Sequence, residues 1–287
     1  MGISKFARKW KRSIQKRLPG YQPPIPPGNK KIVDKAKAVT AEPTKPTKPA
    51  AKVAPPNEKS PADDVEFLVP DNKLEEIFPG SDQAEVTMLP RLIRSHKWAM
   101  PEHELMVLGA LTKVLQPKLV VEFGTFMGGS TLAMASNMPA GSKIITIDLD
   151  PTARSTHVHG MGVGLSEFDV GCLFRGTRYE SMIEQRFSNT VEFSDEDLIS
   201  AADLVFVDAD HTYEFAKRDT ETAVQFVKSS GTILWHDYRW EPANPECVGV
   251  TYTVNEFYEE YGCCSQIAGT RFALHSSQLS NIAKKAA

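Results

Sequence analysis

Two short blocks place acid and imidazole side chains where apolar runs end. "VFVDADH" finishes on Asp208, Asp210 and His211, and "ILWHDY" on His236, Asp237 and Tyr238. If the two runs are neighbouring parallel strands, about 4.8 Å apart, their ends converge. Asp208, His236 and Asp237 can then coordinate one divalent cation, with water or substrate oxygens completing the shell. Asp210 reads more plainly as the N-cap of a helix starting at Tyr213. A third block, "VVEFGTFMGGSTLAMA", runs from β-branched residues through an acid into a glycine turn. Glu122 ends the strand, Gly124 opens the turn, Gly128 and Gly129 allow close backbone approach to a ligand, and Ser130 starts a helix. Phe126 stands where a dinucleotide fingerprint has its middle glycine, which disfavours a pyrophosphate cradle. Asp148, 24 residues after Gly124 and at the end of "IITIDLD", is placed to accept both hydroxyls of a ribose. Ribose without pyrophosphate implies a nucleoside ligand. The plainer alternatives are a tight connection for the turn and a helix cap or solvated strand end for Asp148.

These groups need elements to position them. Apolar runs at 119–123, 143–147, 204–207 and 232–235 alternate with helical stretches at 130–136, from 152 onward, at 213–229 and at 251–261. Short buried strands separated by helices imply βαβ units in a right-handed, mostly parallel sheet. Ahead of them "EHELMVLGALTKVL" (102–115) carries Leu105, Leu108, Leu111, Val114 and Leu115 on one helical face, and Pro117 stops it. At the end "CCSQIAGTRFALHS" reads as an antiparallel hairpin around Gly269.

The E-x-G-x-x-x-G-x-S pattern followed by the Asp of "TIDLD" resembles the first two motifs of class I S-adenosylmethionine-dependent methyltransferases. The likeness covers residues 95 to 275, including "HKWAMPEHE", "GCLFRGT", "LVFVDADHTYEFAKRDTETA" and "GTILWHDY". It is similar to a bacterial small-molecule branch akin to the catechol, sugar and macrolide O-methyltransferases. The resemblance implies an α/β, Rossmann-like fold of seven strands with a C-terminal antiparallel hairpin. It implies S-adenosylmethionine as cofactor, held by Glu122, Gly124, Phe126, Gly128, Ser130, Asp148, Asn189 and Asp208, with the Asn189 amide oxygen facing the adenine amine. It implies a divalent cation on Asp208, His236 and Asp237. His236 stands where the metal-dependent relatives mostly carry an acid, which shifts preference from magnesium toward manganese or zinc. His211, three residues past Asp208, stands where those relatives carry a lysine and is a reasonable general base near neutral pH; its plainer role is bonding to the start of the following helix. Asp208 and His211 are the candidate catalytic pair. His96, Trp98 and Met100 fall where relatives place a lid, and 161–179 should shape the acceptor pocket.

Charge divides the chain. Residues 1–59 carry 15 Lys/Arg against 3 Asp/Glu, a net of +12; residues 60–287 carry 18 against 33, a net of −15. Three segments follow: a basic amphipathic helix at 1–18 with Ile3, Phe6, Trp10, Ile14 and Leu18 on its apolar stripe, a Pro/Lys/Ala-rich flexible linker at 19–64, and the methyltransferase-like domain at 65–280. The negative domain argues against nucleic acid as acceptor. The expected acceptor is a hydroxyl of a small molecule or glycosyl unit. The expected location is the cytoplasm, on the absence of a secretory or membrane-spanning run and of disulfide spacing among the four cysteines. Residues 1–18 are suited to peripheral contact with the inner membrane surface, and homo-oligomerisation stays open. The competing reading is a non-catalytic nucleoside-binding module on a tether to a membrane or polyanion.

Overall fold

A computed structural model describes residues 65–93, 99–150, 170–238 and 248–279. The basic helix at 1–18, the linker, His96, Trp98, the helix expected from 152 and the first part of the segment 161–179, up to 169, lie outside the described residues.

The strands are β1 (Asp71–Asn72), β2 (Leu119–Phe123), β3 (Lys143–Asp148), β4 (Ile183–Phe187), β5 (Ala202–Val207), β6 (Val227–Trp235), β7 (Cys264–Ile267) and β8 (Ala273–Ser276). The helices are α1 (Leu74–Ile77), α2 (Glu102–Leu115), α3 (Gly129–Ala135), α4 (Tyr213–Phe226) and α5 (Gly249–Tyr261). One sheet takes the order β1-β7-β8-β6-β5-β2-β3-β4. Every pairing is parallel except β6 with β8 and β7 with β8. The described sheet thus has the expected topology plus one strand, β1, which joins β7 at the edge. It is too short to leave a period-two signal.

Alternation along each strand builds two cores. Val121, Ile145 and Val205 pack beneath Ala216, Ala223 and Val224 of α4 and Val254 and Phe257 of α5. Their chain neighbours Val120, Ile144 and Leu204 turn to the other face, against Leu108 and Leu111 of α2 and Met134 of α3. Burial on both faces is why the central strands read as continuous apolar runs. α2 ends at Gln116, whose left-handed φ of 47° closes the last turn before Pro117. α4 stops at Phe226, three residues short of the expected end, because Val227 pairs with Ala202 and opens β6. Among the described residues no helix is long and apolar enough to cross a membrane.

Register brings the strand ends into a row. Phe123 pairs with Ile147 on one side and Val207 on the other, and Val207 pairs with Trp235. The backbone ladder continues one step further: Gly124 N donates to Ile147 O at 2.8 Å, Asp208 N to Phe123 O at 2.9 Å and His236 N to Val207 O at 3.1 Å. Gly124, Asp208 and His236 therefore leave the sheet side by side.

At the far edge a strap from the start of the domain crosses behind this row. Val69 N donates to Tyr238 Oη at 3.0 Å, Tyr238 Oη to Asn255 Oδ1 at 3.0 Å, and Asn255 Nδ2 to Glu66 O at 2.6 Å. Phe67 meets the Tyr238 ring edge-on. Tyr238, wholly buried, is thereby fixed one residue past Asp237.

Gly124 has φ +96°, and a Cβ there would penetrate the Asp208 carbonyl oxygen; Gly80 has φ +89° but open space around it. Gly124→Ala is expected to cost on the order of 2 to 3 kcal/mol or more, from strain and overlap together, and Gly80→Ala only the left-handed strain of about 1 to 2 kcal/mol. Urea unfolding of the two variants measures the difference.

Candidate active site

The glycine turn is supported from both sides. Beneath it Glu122, completely buried, accepts hydrogen bonds from Ser130 Oγ at 2.6 Å and Thr131 Oγ1 at 2.5 Å. Both carboxylate oxygens are thus committed to the start of α3, and the Ser130 hydroxyl with them. Burial pushes the Glu122 carboxyl up to about 7, although the hydroxyls that bond it pull the other way. Across the turn Asp148 Oδ2 accepts from Phe126 N at 2.7 Å, and Oδ1 from Leu149 N at 2.7 Å. Phe126 sits at φ 47°, a conformation uncommon for a bulky side chain. A Cβ on Gly128 would overlap the Phe174 ring, so that glycine accommodates an aromatic side chain from the segment after 170. Each carboxylate oxygen has two lone pairs, so Asp148 keeps acceptor capacity beyond its two backbone donors. Asn189 caps the short turn Thr190–Glu192 through its side-chain oxygen on Val191 N, at 3.3 Å.

Next along the row, Asp208, His211 and Asp237 form a cluster whose ligand atoms all lie within 4.8 Å of one another. His211 Nε2 is 2.7 Å from Asp237 Oδ2 and 4.0 Å from Asp208 Oδ1. Asp237 adopts φ 62°, which turns its carboxylate back toward the β5 end. Asp210 Oδ1 accepts from Thr212 N at 2.8 Å, while Thr212 holds the N-cap position of α4. Asp210 therefore braces the turn ahead of the helix.

His236, expected as a metal ligand, is engaged on both ring nitrogens. Its Nδ1 faces Asp208 Oδ1 at 3.1 Å and its Nε2 faces Glu104 Oε2 at 2.9 Å. Both partners are carboxylate oxygens, an arrangement that favours the doubly protonated ring. Burial opposes that charge, but Asp237 and Asp208 outweigh it and raise the ring well above its ordinary value. His211 is the other imidazole within reach of Asp208 and Asp237.

Glu104 and Arg271 complete the arrangement, and sequence reasoning singled out neither. Arg271 reaches Glu104 Oε1 with Nε at 3.2 Å, Glu104 Oε2 with Nη2 at 2.8 Å and Asp237 Oδ1 with Nη1 at 2.9 Å, while its backbone N donates to Glu104 Oε1 at 2.8 Å. Against the upward push of burial, His236 and Arg271 hold Glu104 down at about 2. In the same way the two histidines hold Asp237 well below the carboxylate range. One signal for Glu104 was present in the sequence: it shares a helical face with Leu108 and Leu111, where an acid needs a buried partner.

Two carboxylates and an imidazole within reach of one another suit a divalent ion of intermediate softness. A family described as a methyltransferase domain matches residues 121–238, from the third residue of β2 to the residue after Asp237. The candidate site thus lies within a region that matches a methyltransferase domain. The fold is similar to that of a solved O-methyltransferase, TomG from Streptomyces achromogenes, at 18% identity and TM-score 0.50, covering 67% of this chain and 92% of that one. The caffeoyl-CoA O-methyltransferase of Stellaria longipes is 30% identical over 139 residues, 47% of this chain and 52% of the relative. Catechol O-methyltransferase B of Danio rerio is 30% identical over 74 residues, 25% and 28% respectively. The chain thus spans about half or less of the length of these curated relatives.

Within the matched region the raised Glu122 makes stability depend on pH. The folded state binds the proton more tightly than the unfolded one, whose carboxyl has the ordinary value of 4.5. That contribution is full below about pH 4.5 and is lost as pH rises through about 7, on the order of 3 kcal/mol. Glu122→Gln should remove this dependence. Urea unfolding of both proteins from pH 4.5 to 8 tests it, and parallel profiles would contradict a protonated Glu122.

Proposed function

We propose that the domain transfers the methyl group of S-adenosylmethionine to a hydroxyl oxygen of a small molecule or glycosyl unit. The observation that carries this reading is the convergence of Asp208, His211 and Asp237 two strands away from Asp148, along the same edge as the glycine turn. Relatives named for catechol and caffeoyl-CoA support a small hydroxyl-bearing acceptor.

S-adenosylmethionine supplies an electrophilic methyl sulfonium, and a divalent cation, when bound, lowers the acceptor hydroxyl's pKa. The chain's own task is to align and deprotonate. Asp148 uses its remaining acceptor capacity for the ribose hydroxyls, and the turn from Gly124 to Gly128 lets backbone approach the nucleoside. Asn189 would meet the adenine amine by turning its amide oxygen from Val191 N. His211 Nε2 receives the proton leaving the acceptor. The imidazolium so formed lies between Asp237 and Asp208, whose charges stabilise it. Asp208 and Asp237 would hold the cation, with His211 beside them as base rather than as ligand.

Calorimetric titration of the full chain with S-adenosylhomocysteine should show micromolar binding, and titration with NAD none. Asp148→Ala should weaken S-adenosylhomocysteine by at least about tenfold, or ~1.4 kcal/mol; equal affinity in the two proteins would sink the ribose assignment. Asp237→Ala should keep cofactor affinity within about twofold, within ~0.4 kcal/mol, and excess chelator should suppress methyl transfer. Full turnover in the chelator would leave His211 as the sole activating group.

A further inference from the structure

Behind the candidate metal ligands stands a carboxylate that none of the chemistry above uses. Glu104 enters from α2, ahead of the central strands, and is almost wholly buried. Four donors converge on its two oxygens: His236 Nε2, Arg271 N, Arg271 Nε and Arg271 Nη2. Each cation it holds reaches forward to the candidate ligands, His236 to Asp208 at 3.1 Å and to Asp237 at 3.4 Å, and Arg271 to Asp237 at 2.9 Å. The order is carboxylate, cation pair, carboxylate pair, from the protein interior outward.

We infer that Glu104 is the positioning residue of this site: by clamping His236 and Arg271 from behind, it sets how strongly those cations compete with a divalent ion for Asp208 and Asp237. The inference rests on the proposed metal-assisted reading. Glu104 faces the Arg271 guanidinium from behind and Asp237 faces it from the front. Without the Glu104 charge the guanidinium, charged at any working pH, has Asp237 alone to neutralise it, and Asp237 has less charge left to offer an incoming cation. The clamp also fixes direction: two parallel contacts between a guanidinium and a carboxylate hold Arg271 in one plane, so Nη1 meets a single oxygen of Asp237 and leaves Oδ2 for His211.

Manganese binding read by electron paramagnetic resonance tests this without turnover. Glu104→Gln, which keeps the shape and removes the charge, should weaken manganese by on the order of tenfold while S-adenosylhomocysteine affinity stays within about twofold. Pairing it with Arg271→Gln, which restores the charge balance, should return manganese affinity toward wild type, a recovery that mere loss of packing would not produce. Manganese binding by Glu104→Gln within twofold of wild type, or a double variant weaker than Glu104→Gln, overturns the inference. If Glu104→Gln does not fold, Arg271→Gln alone decides: tighter manganese binding supports the inference, and unchanged or weaker binding overturns it. A wild-type chain that binds S-adenosylhomocysteine but no manganese overturns the inference and leaves the methyl-transfer reading in place; one that binds neither overturns both.

Discussion

Three carboxylates can share a small volume away from water only if cations stand between them. Taking an ion out of water costs several kcal/mol even after the surroundings relax, and here Glu104, Asp208 and Asp237 meet behind the sheet's carboxyl edge. His236 and Arg271 are the answer to that constraint, and each is delivered by a different part of the fold. His236 follows β6, Arg271 lies in the connection between β7 and β8, and Glu104 comes from the first turn of α2. The antiparallel hairpin at the end of the chain therefore closes the sheet and also supplies half of the positive charge that lets the acids coexist. Such networks cost more to break than they add to stability, so their value lies in holding side-chain directions.

The glycine turn obeys a constraint of another kind, that of space. Gly124 is pressed against the Asp208 backbone, Gly128 against Phe174, and Phe126 takes a left-handed conformation with its N–H on Asp148. Asp237, at the opposite end of the row, is left-handed as well. Backbone strain of this sort persists where surrounding contacts over-determine it. Here those contacts are Glu122 and Asp148 for the turn, and Arg271 and His211 for Asp237.

Much of this was legible in the sequence because the signals are local. Apolar runs ending in an acid or a glycine located β2, β3, β5 and β6, and parallel neighbours fixed which ends converge. The role of His236 was not legible, since its decisive partner Glu104 lies 132 residues away on another element. A pattern that counts imidazoles and carboxylates cannot tell a metal ligand from an imidazolium held between two acids. The same blindness to distance hid Arg271, which looked like one more charge in a hairpin. For Glu122 the pattern put an acid at the strand end, but only packing reveals that its carboxylate points under the turn to Ser130 and Thr131. β1 escaped because two residues carry no periodicity, and its existence depends on a strand almost two hundred positions later.

That separation dictates when the strap can settle. Glu66 to Asn72 emerge from the ribosome early, yet their partners Tyr238, Asn255 and β7 belong to the last fifth of the chain. Contacts so distant in sequence form late. During synthesis the central strands and α2 can assemble while Val69 waits uncovered. Closure of the far edge, and with it the final seating of Tyr238 beside Asp237, waits until β7 has been made.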